Sequence, residues 1–321
     1  MDPVSHGIVG AAIGSLSGGS LNLSNPYLVG SVIGAVIPDG DIILRLKGNY
    51  SYLKNHRGAS HSLFGLAVIS ALLTCVLIKI YSGYNFISLM FWVFMGGLSH
   101  SLTDMLNSYG VQLFWPKTKK KFSLSLLMLV DLPLIICSIL VIIYRHNIKG
   151  IYIIIACFIA YLIIRALMRF KAISLIRKNI QGKYSIIKVN ILPSITGFFR
   201  WDFIVWTPDL NITGTVNIIN SKVVIRDKLK KIEKDLEKKF MHSPAGKFFK
   251  EFTPIYHVEC QELDRGYWVK YTDLRYYFKN NYMHHAIAYF DDCFNMLRWT
   301  FHPYSYRQKN VNYSLQVLTK Q

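Results

Sequence analysis

Residues 86–106 read FISLMFWVFMGGLSHSLTDML, a stretch apolar and long enough to cross a bilayer, with His100 and Asp104 held back to its last two turns. Ionisable groups near lipid are costly and are retained mainly where they have a function. Four residues apart on a helix, this imidazole and carboxylate stack on one face within reach of a single cation. Alone, the same spacing also suits a histidine–aspartate hydrogen bond that locks a helix end. The flanking sequence favours a metal.

Ahead of that stretch, His56-Arg57-Gly58-Ala59-Ser60-His61-Ser62 leads into the apolar run Leu63–Tyr81, and Pro38-Asp39-Gly40-Asp41 follows a Gly-rich apolar run. His6 lies within the first apolar run, Val4–Leu16. Residues 1–170 contain no glutamate and only five aspartates, Asp2, Asp39, Asp41, Asp104 and Asp131. A shared divalent cation therefore is expected to bind at least four of these side chains, first of all His56, His61, His100 and Asp104, with His6, Asp39 and Asp41 completing one or more ions. Nitrogen and oxygen donors suit zinc but do not separate it from manganese, iron or nickel, and the number of ions stays open. Such an ion lowers the pKa of a water and polarises a scissile ester or phosphoryl group. Asp39 or Asp41 is then a candidate general base. Arg57 is a candidate partner of a substrate phosphate, or else a headgroup-facing arginine. Asp131 is either a carboxylate that orients a ligand histidine or a polar group at a helix end.

The bulk composition fits a membrane protein: 321 residues, 52% hydrophobic, formal charge +19. Lysine and arginine outnumber aspartate and glutamate by 13 to 5 in residues 1–170 and by 24 to 13 in residues 171–321. Anionic lipid or a negative substrate are the partners this implies, and nucleic acid is disfavoured because no recognition pattern accompanies the charge. The five widely spaced cysteines form no CxxC motif and no disulfide framework, as suits a reducing compartment. The start Met-Asp-Pro lacks the basic leader of a cleavable signal.

Four runs are expected to span the membrane: Leu63–Tyr81, Phe86–Leu106, Leu124–Tyr144 and Ile151–Leu167. The shorter runs Val4–Leu16 and Tyr27–Ile37, rich in small residues, are expected to pack as a re-entrant or interfacial pair. Arg45, Lys47, Lys54 and Arg57 precede the first span and Lys117, Lys119, Lys120 and Lys121 the third, which places those loops and the C-terminal half in the cytoplasm. His56, His61, His100, Asp104 and Asp131 then share one membrane face. Beyond residue 180, the alternating runs Tyr184–Leu192, Thr213–Ile225, Ile255–Glu262 and Gly266–Thr272 read as strands, and Arg226–His242 as a helix. Asp273 and Arg275 read as a structural ion pair, and His242, His257, His284, His285 and His302 as surface or core histidines.

These motifs in their order, with Ser108-Tyr109-Gly110, Trp115-Pro116, Val130-Asp131-Leu132-Pro133 and Thr272-Asp273-Leu274-Arg275-Tyr276, make the chain resemble the YdjM-like family of bacterial and archaeal membrane-bound metal-dependent hydrolases. The resemblance implies a polytopic membrane protein whose site residues are His6, Asp39, Asp41, His56, His61, His100 and Asp104. The His100/Asp104 pair is also similar to the helix-borne ligands of zinc-dependent phospholipase C and its nuclease relatives, which implies phosphoester hydrolysis. The chain departs from that group in having no helix-borne HxxxE, since no glutamate precedes Glu233, and this argues against a full three-metal centre.

The expectation is thus an α-helical polytopic membrane domain, 1–170, followed by a small basic α+β domain, 171–321. Its function is expected to be metal-dependent hydrolysis at the cytoplasmic side of the inner membrane, on a phosphoester and first of all a lipid one. Two rivals use the same sequence differently: a metal or proton transporter or sensor, and a membrane-tethered scaffold whose basic tail binds a soluble partner.

Overall fold

Each helix of the N-terminal half begins where a short polar side chain satisfies its first free N–H groups. In a computed structural model, which describes residues 1–47, 56–278 and 280–302 (backbone only for 43–47), Asp2 caps α1 (Pro3–Ser15) and Asn25 caps α2 (Pro26–Val36). Ser62 caps α3 (Leu63–Ile80), Asn85 caps α4 (Phe86–Leu106), and Asp131 caps α5 (Leu132–Ile143). Proline follows the cap in α1, α2 and α5, where its missing N–H removes no helical bond. α6 (Ile148–Ile180) completes the set. α3, α4 and α6 are long and apolar enough to cross a membrane.

The third expected span differs from the sequence reading. Leu124, Leu126 and Leu127 donate their N–H groups to the Met105 and Leu106 carbonyls at the end of α4, and the helix starts only at Leu132. The Asp131 cap and Pro133 set that start, leaving 12 residues, about 18 Å, which is short of a crossing. α6 runs well past the expected Leu167. Within it Arg165 is buried, donating to the carbonyls of Leu126 and Phe198. Lys54, which contributed to the topology reading, lies outside the described residues.

α1, α2 and α4 form the closest packed part of the membrane unit. A methyl on Gly34 would run into the Val93 carbonyl, and one on Gly96 into the Ser31 carbonyl. Small residues here let two backbones touch, the usual device where no water drives helices together. That contact carries the end of α2, and the 3₁₀ segment Ile37–Lys47 that follows it, to the C-terminal turns of α4.

Of the described residues, 1–44, 56–172 and 192–200 form one compact unit, and 173–191 with 201–302 belong to a second. The later part of the chain builds two antiparallel four-stranded sheets. One has the order β1 (Lys188–Pro193), β2 (Arg200–Trp206), β3 (Leu210–Asn217), β4 (Lys222–Lys230). The helices α7 (Lys234–His242) and α8 (Pro244–Phe252) come next. The other sheet then follows from β5 (Tyr256–Leu263), β6 (Gly266–Asp273), β9 (His285–Phe290) and β10 (Met296–His302), in the order β10-β9-β6-β5. A two-stranded ribbon, β7 (Tyr277–Phe278) and β8 (Asn281–Tyr282), lies between β6 and β9 in sequence. Phe240, Phe248, Phe249 and Phe252 from the helices meet Tyr271, Phe290 and Phe301 from this second sheet in one aromatic core.

Two sequence expectations change here. Thr213–Ile225 is not one strand but a hairpin, reversed at Ser221 with φ 55°. Arg226–Lys230 is the second half of β4 rather than helix, because it pairs with β3 down to Leu210↔Lys230 and Arg226 binds Asp202 at 3.0 Å. Only Lys234–His242 is helical. Asp273 and Arg275 form the expected ion pair, buried and bidentate, with 2.8 Å between Nη2 and Oδ2.

His257 in β5 is buried, and burial first, then the charges of Lys231 and Lys270, push its pKa down to about 4 from 6.5. The unfolded chain takes up this proton more readily, so stability is greatest above pH 6.5 and falls as pH drops toward 4. Between pH 7 and pH 5 the loss from His257 amounts to about 2 kcal/mol. Denaturant unfolding of the full chain, followed through its β-sheet signal, should show this slope in the wild type and a shallower one in His257→Gln. Equal slopes would contradict it.

Candidate metal centre

Three imidazoles and two carboxylates converge beside the last two turns of α4. His6 comes from α1, Asp39 from the segment after α2, His61 from the single 3₁₀ turn before α3, and His100 and Asp104 from α4. His6, His61, His100 and Asp104 are at most 1% exposed. His61 Nε2 and His100 Nε2 stand 3.0 Å apart. Asp39 Oδ1 lies 3.5 Å from the first and 3.6 Å from the second. Asp104 Oδ2 lies 3.9 and 3.8 Å from the same two atoms. The separations of His61 Nε2 and His100 Nε2 from each other and from each carboxylate oxygen, 3.0–3.9 Å, are close to the edge of about 3.5 Å of a tetrahedron whose centre lies about 2.1 Å from each corner, the bond length of zinc to nitrogen and oxygen ligands.

Hydrogen bonds around the rings determine where their lone pairs point. His100 Nδ1 donates to the Ala35 carbonyl at 2.7 Å, so its neutral ring presents a bare Nε2. Thr103 spends its hydroxyl proton on the Ser99 and His100 carbonyls, so its oxygen accepts from His6 Nδ1 at 3.3 Å. His6 Nε2 is then also a lone pair, 3.5 Å from Asp104 Oδ1, and its ring stacks on His100 with centroids 3.6 Å apart. Asp39 Oδ1 and His6 Nε2 are buried without a hydrogen bond among the described residues. Buried polar atoms are rarely left this way. A divalent cation is the ligand their donor set fits.

Charge is partly balanced within the protein. Arg57 Nε reaches Asp104 Oδ2 at 2.9 Å, and the main-chain nitrogen of Met1 contacts Asp104 Oδ1. Among the described residues, Asp39 is paired with the His61 and His100 rings. Burial works against its charge, but the His61 ring at 3.5 Å, with the His100 ring at 3.6 Å, holds it below the usual carboxylate range. Burial lowers His61 below its ordinary value, against the pull of Asp39 and Asp104. Ionised carboxylate and neutral imidazole are the forms that bind metal.

Asp41 and His56 form a separate outer pair. His56 Nδ1 donates to both Asp41 oxygens, at 2.9 and 3.0 Å, and one Asp41 oxygen also accepts from the Arg57 N–H at 3.3 Å. Ligand atoms of Asp39, Asp41 and His56 lie within 4.8 Å of one another, so Asp39 links the two groups. All seven sequence-predicted ligand candidates are therefore close together, with His56 and Asp41 on the outside.

Arg57 adopts φ 62° before Gly58, and its guanidinium lies over the Tyr109 ring at 4.7 Å. Asp131 belongs to no metal-like group among the described residues. It caps α5 and accepts from the Tyr161 hydroxyl at 2.8 Å, which is its helix-end reading. Sequence reasoning missed Asn107, which donates to Asp104 at 2.9 Å and accepts from Arg57 at 3.1 Å. Its only linear signal is a position three residues beyond Asp104. Ser101, whose hydroxyl holds the His61 carbonyl at 2.8 Å, was also missed.

Compared with known proteins, residues 1–172 match the family described as YdjM inner membrane protein, and residues 235–311 match the YfhP C-terminal alpha/beta plait domain. The uncharacterized protein YfhP of Bacillus subtilis (strain 168) is 27% identical over 305 residues, covering 90% of each chain. No solved structure matches significantly.

Elemental analysis of the purified full chain should find a divalent metal that falls at least about tenfold in Asp39→Ala, His61→Ala, His100→Ala and Asp104→Ala. Asp131→Asn should keep the wild-type content. Equal content in all five variants would remove the centre.

Proposed function

Because the chain belongs to the YdjM inner membrane protein family, and because its buried nitrogen and oxygen donors converge at helix ends, we propose that it is a membrane-embedded, metal-dependent phosphoester hydrolase. The observation that carries this reading is the set of four inward-facing atoms, His61 Nε2, His100 Nε2, Asp39 Oδ1 and Asp104 Oδ2. Zinc is the ion tested first, and it would acidify a water and polarise the phosphoryl group.

The chain's own residues divide the remaining tasks. His61, His100, Asp39 and Asp104 would hold the ion, and His6 Nε2 lies 3.5 Å from the other Asp104 oxygen. Asp41, oriented by His56 Nδ1, accepts the proton of the attacking water as its oxygen bonds to phosphorus and the ester P–O bond breaks. The leaving alcohol oxygen regains a proton from solvent. Arg57 neutralises Asp104 and sets a positive charge beside the phosphate. Lys117, Lys119, Lys120 and Lys121, in the loop after α4, orient this end toward the cytoplasm.

A transporter reading needs ligands within the span that alternately face either side. Here His61 precedes α3, Asp39 follows α2, and His100 and Asp104 close α4, which favours a site reached from one face.

Zinc-loaded full-length protein in detergent should hydrolyse at least one member of a panel of soluble and lipid phosphomonoesters and phosphodiesters. Asp41→Asn should lower kcat by about 100-fold with metal content unchanged, as expected for loss of a general base. Absence of turnover across the panel, or full activity in His100→Ala, would contradict the proposal.

A further inference from the structure

α1, α5 and α6 enclose an apolar groove of about 230 Å³ in the membrane unit. Its three walls each span a seven-residue step: Val9 to Leu16 on α1, Leu134 to Val141 on α5, and Phe158 back to Ile151 on α6. Seven residues of helix rise about 10 Å. Val9 and Leu134 belong to one buried cluster, with Phe158 packed against it, so these residues mark one end of the groove.

That end adjoins the metal centre. His6, Val9, Ile13 and Leu16 are spaced by three, four and three residues, which keeps them on one stripe of α1. The stripe that presents His6 to Asp104 and His100 therefore continues as the groove wall. Val9 also clusters with Met1, which contacts Asp104. The groove offers a water almost nothing to bond: the Ser138 hydroxyl in its lining donates to the Leu134 carbonyl at 2.8 Å. Hydrocarbon suits such a lining and water does not.

Resting on the hydrolase reading of the adjoining centre, we propose that this groove seats the acyl chain of a lipid phosphoester substrate. The phosphate head lies at the His6 and Asp104 end, and the chain runs along α1 toward Leu16. Two helical turns accommodate about eight carbons of extended chain. The site thus selects its substrate by a hydrocarbon tail as well as by phosphate, and water-soluble phosphoesters bind it poorly.

The test is photolabelling of the full-length, zinc-loaded protein in detergent with two single-chain glycerolipids that carry a diazirine near the eighth carbon. One has a phosphate on its glycerol head and the other has no charge. The phosphate-headed probe should label the α1 and α5 groove residues at least fivefold more than the neutral one. Ala12→Phe, which fills the groove, should cut that labelling at least fivefold while zinc content stays at the wild-type level. Cys137→Phe, from the α5 wall, gives a second readout if the first variant does not fold. Equal labelling by both probes, or labelling centred on the exposed faces at Ile136, Ile139 and Ile159, would identify ordinary bilayer lipid and overturn the proposal. Groove labelling without hydrolysis of the same lipid overturns its role as substrate, and hydrolysis without groove labelling overturns the groove.

Discussion

Two imidazole nitrogens stand 3.0 Å apart with a carboxylate oxygen of Asp39 and one of Asp104 within 3.9 Å of both, and this crowding of electron-rich atoms is what the membrane unit is organised to sustain. Arg57 offsets the Asp104 carboxylate, whereas among the described residues Asp39 is paired with imidazole rings. A buried charge without a partner costs several kcal/mol. A divalent cation bound there would offset that cost.

The scaffold follows from that demand. Gly34 and Gly96 let α2 and α4 approach backbone to backbone, which brings the Ala35 carbonyl onto His100 Nδ1 and the segment with Asp39 onto His100 Nε2. Asn107 and Arg57 lock Asp104 from the other side, and Ser101 fixes the backbone at His61. The Ser62 cap that begins α3 directly follows His61, and Asp39, His100 and Asp104 lie beyond or at the end of their helices, so these donors arrive from helix ends rather than from mid-span.

The clustering was legible because polar residues stand out against apolar sequence: His61, His100, Asp39 and Asp104 are conspicuous in a half that contains no glutamate. What orients them was not. Asn107, Ser101 and the Ala35 carbonyl act through contacts between segments far apart in sequence, and as residue types they are ordinary. The outer position of the His56 and Asp41 pair depends on the 3₁₀ segment after α2, which no periodicity announces. Hydropathy alone likewise overextended the third apolar run, because it ignores the backbone pairing of Leu124–Leu127 and the Asp131 cap. In the C-terminal half, Leu229, Ile232, Leu236 and Phe240 share a helical spacing, yet Leu229 belongs to a strand because β3 needs a partner there.

X-ray absorption at the zinc edge of the loaded full-length protein tests the central claim most directly. The account predicts two imidazole nitrogens and at least two oxygens at about 2.0–2.2 Å, with the imidazole scattering reduced by half in His61→Ala. A first shell of oxygen alone, or one containing sulfur, would contradict it.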